Sequence, residues 1–99
     1  MPTTIHSDPA LQLLANLAHL ANLSRCEARV LTSECRNISE CKAFDQEDLY
    51  DLWHACWNLE DACPVQSPGD HLRLRVAVVR EAEYLWGLRY DLLEDLASA

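Results

Sequence analysis

Histidine, cysteine and carboxylate are the side chains that could move a proton, attack a carbonyl or hold a metal, so their spacing sets what chemistry is open to this chain. The histidines are His6, His19, His54 and His71, and the cysteines are Cys26, Cys35, Cys41, Cys56 and Cys63. Structural zinc sites are usually built from short paired spacings, and no C-x-x-C pair occurs. His54 and Cys56 lie two residues apart, which on a helix points them roughly 200° apart and keeps them off a common ion. Cys56 and Cys63 would share a helical face with Glu60 between them, and an antiparallel neighbour carrying Cys26 would complete a three-thiolate set. Against that stands the simpler reading of small thiols at apolar spacing in a core. His6, His19 and His71 have no acid or thiol at ligand spacing, and general acid–base chemistry needs a cleft and a paired group that the sequence does not supply. The expectation is an absence of catalysis: no catalytic residue, no cofactor, no metal, and all five thiols reduced.

Composition narrows the class. Hydrophobic residues make up 49% of the 99 positions, enough for one core and one domain spanning 1–99. Gly occurs only at Gly69 and Gly87, and Pro at Pro2, Pro9, Pro64 and Pro68, which leaves little turn chemistry for a β protein. The expected class is all-α. A formal net charge of −8 argues against direct nucleic-acid binding and against an anionic membrane surface, both of which need clustered Lys and Arg. No apolar run reaches the roughly 18 residues of a membrane span, since Asn16, His19 and Asn22 interrupt the Leu-rich start. The first residues, MPTTIHSDP, lack a positive leader region, so a cytoplasmic setting is expected, in which Asn22-Leu-Ser24 and Asn37-Ile-Ser39 carry no glycan.

The elements follow from periodicity. From Asp45 to Cys63 the apolar residues Leu49, Leu52, Trp53, Cys56, Leu59 and Cys63 recur at three- and four-residue steps, and Asp45 is placed to cap, with Phe44 and Leu49 as a staple. The other faces of this helix carry Asp45, Glu47, Asp48, Asp51, Glu60 and Asp61 and no Lys or Arg. Upstream, Ser7 or Asp8 caps with Pro9 in the first turn, and Leu14, Leu17, Ala21, Ser24, Ala28, Leu31, Cys35 and Ile38 hold one heptad register. Ser24-Arg-Cys-Glu27 matches a capping box inside that run, which sets a broken helix against a continuous one. Downstream, Pro64–Gly69 forms a loop and a helix runs to about Leu96 with two apolar stripes: Leu72, Val76, Val79, Trp86, Tyr90 and Leu93, and beside it Leu74, Val78, Ala82, Leu85, Leu88 and Leu92.

The expected architecture is an antiparallel bundle of three helices, at about 9–42, 46–63 and 68–97, behind a frayed lead at 1–7. The alternative is a break near 22–24 that gives four helices. A short turn centred near residue 43 places Ile38 level with Leu49, Leu31 with Cys56, and Arg25 and Arg29 with Glu60 and Asp61. An unbroken first helix of about 50 Å outruns a second of about 28 Å. Leu11, Leu13, Leu14, Leu17 and Leu20 would then project uncovered, so either two chains pair through residues 10–23 as a homodimer or the chain folds back there.

Function is expected to lie in binding a partner protein, as a small acidic regulator or inhibitor. Trp53 and Trp86 fall on core stripes, whereas Tyr50, Trp57 and Tyr84 fall at their edges among carboxylates. Glu47, Asp48, Tyr50, Asp51, Trp57 and Tyr84 are therefore the candidate partner-binding residues. The alternative is an acidic nucleic-acid mimic, a phage-type inhibitor whose carboxylates stand in for phosphates in the basic groove of a nucleic-acid-handling complex. A small enzyme or metal-binding protein is the third reading.

Overall fold

The computed structural model describes residues 7–22, 28–62 and 68–98, and among these every long segment is an α-helix: α1 (Pro9–Asn22), α2 (Ala28–Glu40), α3 (Gln46–Ala62) and α4 (Pro68–Ser98). The heptad run breaks, so there are four helices, and the fold is an all-α bundle with neighbours in the order α1–α2–α3–α4–α1. The lead at 1–6, the capping-box match with Cys26 and Arg25, and Cys63 with most of the Pro64–Gly69 loop lie outside the described residues.

Each helix turns a narrow apolar seam inward. The seams are Ala10, Leu11, Leu14, Leu17 and Ala21 on α1, Leu31, Cys35 and Ile38 on α2, Leu49, Leu52, Ala55, Cys56 and Leu59 on α3, and Val78, Ala82 and Leu85 on α4, all buried. The three- and four-residue steps in every list keep one face of a 3.6-residue helix on the core. Small residues at Ala21, Cys35, Ala55, Cys56 and Ala82 alternate with leucines and let the backbones approach.

α1 is held to α4 at both ends. Asp8 caps the helix: its carboxylate accepts the Leu11 N–H at 3.3 Å, and its carbonyl accepts the Gln12 N–H at 3.1 Å. The same carboxylate receives a forked pair of bonds from Arg89, Nε at 3.1 Å and Nη2 at 2.9 Å. At the far end Arg75 Nη1 donates to the Asn22 carbonyl at 3.2 Å, one of the last carbonyls of α1 that no helical N–H can reach. Residues 8 and 22 are fourteen apart, as are 75 and 89, so the two contacts fix α1 antiparallel to α4 and in step with it. Bonds from Arg89 hold the Asp8 carboxyl below its ordinary value, against the opposing effect of burial and with help from the Leu11 and Ala10 N–H groups.

The homodimer expected through residues 10–23 loses its premise here. Leu11, Leu14 and Leu17 are buried within their own chain, and Leu13 and Leu20 pack half-buried against the same core, so the leucines that seemed to project are covered by the fold-back. The register between α2 and α3 also differs from expectation. Cys56 faces Cys35, and Glu60 accepts a bond from Thr32 Oγ1 at 2.7 Å rather than meeting Arg29. Side chains lean toward the N-terminus of their own helix, away from the turn on α2 and toward it on α3, which moves the touching partner on α3 about two residues further along than a count from the turn suggests, in the direction observed.

On α4 only the middle of the second stripe, Val78, Ala82 and Leu85, is core: Leu74 is half-buried and Leu88 and Leu92 are exposed, while Val79, Trp86, Tyr90 and Leu93 of the first stripe are half-buried and Leu72 and Val76 are exposed. The helix has 31 residues and outruns its partners: beyond Arg89 it continues about 14 Å past the level of Asp8. The whole measures 50 × 23 × 17 Å. Lys42 ends the α2 side of the turn with φ 55°, its N–H bonded to the Ser39 carbonyl at 3.3 Å.

Two outcomes follow for stability. Asp8→Asn should cost about 2 kcal/mol at neutral pH, because it removes the charge from a fork that is mostly shielded from water. Since the folded-state value of Asp8 is depressed, its contribution is present above the ordinary carboxyl range and is lost as pH falls through the lowered value. Urea titrations should therefore show the gap between wild type and Asp8→Asn closing as pH falls below the ordinary carboxyl range. Leu17→Ala should cost about 3 kcal/mol, with a wild-type unfolding midpoint that does not move over a tenfold range of protein concentration. A midpoint rising with concentration would restore the dimer.

Candidate functional site

The outer face of α3 carries the molecule's main concentration of exposed rings. Gln46, Leu49, Tyr50, Trp53, His54 and Trp57 follow one another at three- and four-residue steps, which stacks them along one side of the helix. With Ser39 of α2 they line an open groove of about 440 Å³ between α2 and α3. Tyr50 and His54 have ring centroids 4.2 Å apart, His54 and Trp57 6.3 Å, and Trp57 and Trp53 5.8 Å, all tilted pairs. Tyr50 is 61% exposed and Trp57 51%, whereas Trp53 and Leu49 form the floor, half-buried and buried against the core.

Carboxylates border this wall on the α3 side. Glu47 is three residues before Tyr50, Asp51 three before His54, and Asp61 four after Trp57, so each acid stands beside a ring on the helix surface. All three are exposed. On the α4 side, burial and then the charge of Asp51 push the Glu81 carboxyl above its ordinary value. The outer face of α2 is mixed, with Arg29 and Arg36 as well as Glu40 exposed.

Of the residues singled out by sequence, the structure brings Tyr50 and Trp57 together in the groove, while Glu47 and Asp51 are exposed on α3 outside its lining, Asp51 on the side toward Glu81 of α4. Asp48 faces the other way, into a hollow of about 250 Å³ at the turn end, with Phe44, Leu88, Arg89 and Leu92. Tyr84 is exposed on α4 and lies outside the groove. Sequence reading missed Trp53 and His54 as groove residues: Trp53 falls on a core stripe, and His54 enters only as a candidate metal ligand beside Cys56. The signal was present, since 46, 50, 53, 54 and 57 make an i, i+4, i+7, i+8, i+11 series of polar-aromatic residues.

The thiols divide by environment. Cys35 and Cys56 are fully buried and face each other across α2 and α3, and contact with the Cys35 thiol, then burial, pushes the Cys56 thiol far up. Cys41 is exposed, its Sγ donating to the Ile38 carbonyl at 2.9 Å. Among the described residues no three of His, Cys, Asp and Glu gather as metal ligands. No helix is long and apolar enough to cross a membrane, among the same residues.

Compared with protein-family models, with curated proteins and with solved structures, the chain matches none.

The thiol geometry has a direct readout. Mass-spectrometric mapping after brief alkylation of the folded protein should find Cys41 modified and Cys35 and Cys56 intact, with both reacting only in denaturant. Labelling of Cys56 at the rate of Cys41 would contradict the buried pair.

Proposed function

We propose that this protein is an interaction module that acts by binding a partner protein rather than by catalysis, with the α2–α3 groove as the docking surface. One observation carries the reading: two large rings, Tyr50 and Trp57, stand more than half exposed beside an open groove floored by Trp53 and Leu49. Tyr and Trp are the residues that dominate binding energy at protein interfaces, because they bury a large area with few rotatable bonds. Leaving such rings in water costs hydrophobic free energy that a partner recovers. The same rings favour an interface over mimicry of a nucleic acid, since they add nothing to an array of carboxylates imitating phosphates. As a regulator or inhibitor the module would work by occupying its partner's surface.

Affinity purification from cells that express the protein tests the proposal. The wild type should recover a defined partner that Trp57→Ala fails to retain and that Leu72→Ala, an exposed apolar site on α4 away from the groove, still retains. Equal retention by both variants would remove the groove from the binding surface.

A further inference from the structure

We infer that the occupant of the α2–α3 groove is a basic amphipathic helix of the partner, which lays apolar anchors between Tyr50 and Trp57 and sets Lys or Arg side chains against the acidic edge of α3. This rests on the docking role of the groove and adds the chemistry of what docks there.

Shape supplies the first half. The groove runs between two antiparallel helices from Gln46 to Trp57, eleven residues or about 17 Å along α3, the length of three turns of a helix laid beside it. Its α3 wall presents side chains at helical steps, with Ser39 on the α2 side, and such a wall is the pattern against which a third helix sets residues at i, i+3 or i+4, and i+7. The space of about 440 Å³ suits anchor side chains entering from a helix that rests on the rim, and not a whole helix sunk into the protein.

Charge supplies the second half. α3 carries Glu47, Asp48, Asp51, Glu60 and Asp61 and no Lys or Arg, and the whole chain stands at −8. Glu47, Asp51 and Asp61 alternate with Tyr50, His54 and Trp57 along the exposed surface. A cation reaching that edge meets a carboxylate and a ring face together, which favours the flat guanidinium of Arg in particular. The mixed charges of α2 give the opposite rim no such preference, so the partner's basic side should lie over α3. A second copy of this chain fits poorly, because it would bring another strongly acidic molecule against the same edge.

The experiment uses two synthetic probes, a leucine–lysine amphipathic helical peptide about four turns long and the same pattern with glutamate in place of lysine, titrated against the full chain by fluorescence anisotropy. The lysine peptide should bind and the glutamate peptide should not. Trp57→Ala and Tyr50→Ala, each checked for unchanged helicity by circular dichroism, should each weaken the lysine peptide about tenfold. The triple variant Glu47→Gln, Asp51→Asn, Asp61→Asn should weaken it about tenfold at low salt, and raising salt from about 50 to about 500 mM should do the same to the wild type. Equal binding of both peptides, or full affinity in Trp57→Ala, overturns the inference. A natural partner lost on Trp57→Ala but indifferent to the triple variant and to salt also overturns it, while leaving the groove as the docking surface.

Discussion

Everything in this bundle depends on α1 being folded back and held against α4. Asp8 caps α1 and takes the fork from Arg89, Arg75 donates to the Asn22 carbonyl, and the equal spacing of the two pairs leaves α1 one antiparallel register. The energy comes mainly from Leu11, Leu14 and Leu17 leaving water, while the polar contacts at the two ends decide where the helix stops and which way it runs. Without that return, the leucine-rich start would be an exposed strip and the core would be open along one side.

With α1 in place, α4 is committed to covering two neighbours, and α3 is gripped only along its inner seam. Leu49, Leu52, Cys56 and Leu59 face inward with no exposure to speak of, and α2 and α4 flank them. The remaining arc of α3 has no further helix to cover it. That arc is the one on which the sequence places its rings and its acids, so the groove follows from a bundle whose fourth member closes the core on the far side. The aromatic ladder from Tyr50 to Trp57 is prearranged by ring contacts on a rigid helix, which lowers the entropy lost when a partner is bound.

The fold was legible in the sequence to different depths. α3 and α4 were bounded to within a residue or so at the ends the structure describes, since Asp45 before 46 and Ser67-Pro68 before the last helix are strong local starts. The break after Asn22 was visible only as an alternative, because both halves of the first segment face the same core and so keep one heptad phase across the interruption. The α2–α3 register went astray by about a turn, and the lean of side chains along their helices accounts for about two residues of it. Tyr50 and Trp57 were legible as edge residues, but the groove was not. A groove belongs to two helices, and Ser39 joins it only once their packing is known. Asp48 and Tyr84 looked equivalent to these by exposure alone, and the structure separates them by placing them on other faces.

The central claim is that the aromatic face of α3 is where a partner sits, and footprinting of the complex tests it most directly. Hydroxyl-radical modification read by mass spectrometry should show Tyr50 and Trp57 protected in the bound protein, with Tyr84 and Leu96, exposed on α4, reacting as they do in the free chain. Protection of Tyr84 and Leu96 with Tyr50 and Trp57 still open to the radical would contradict it.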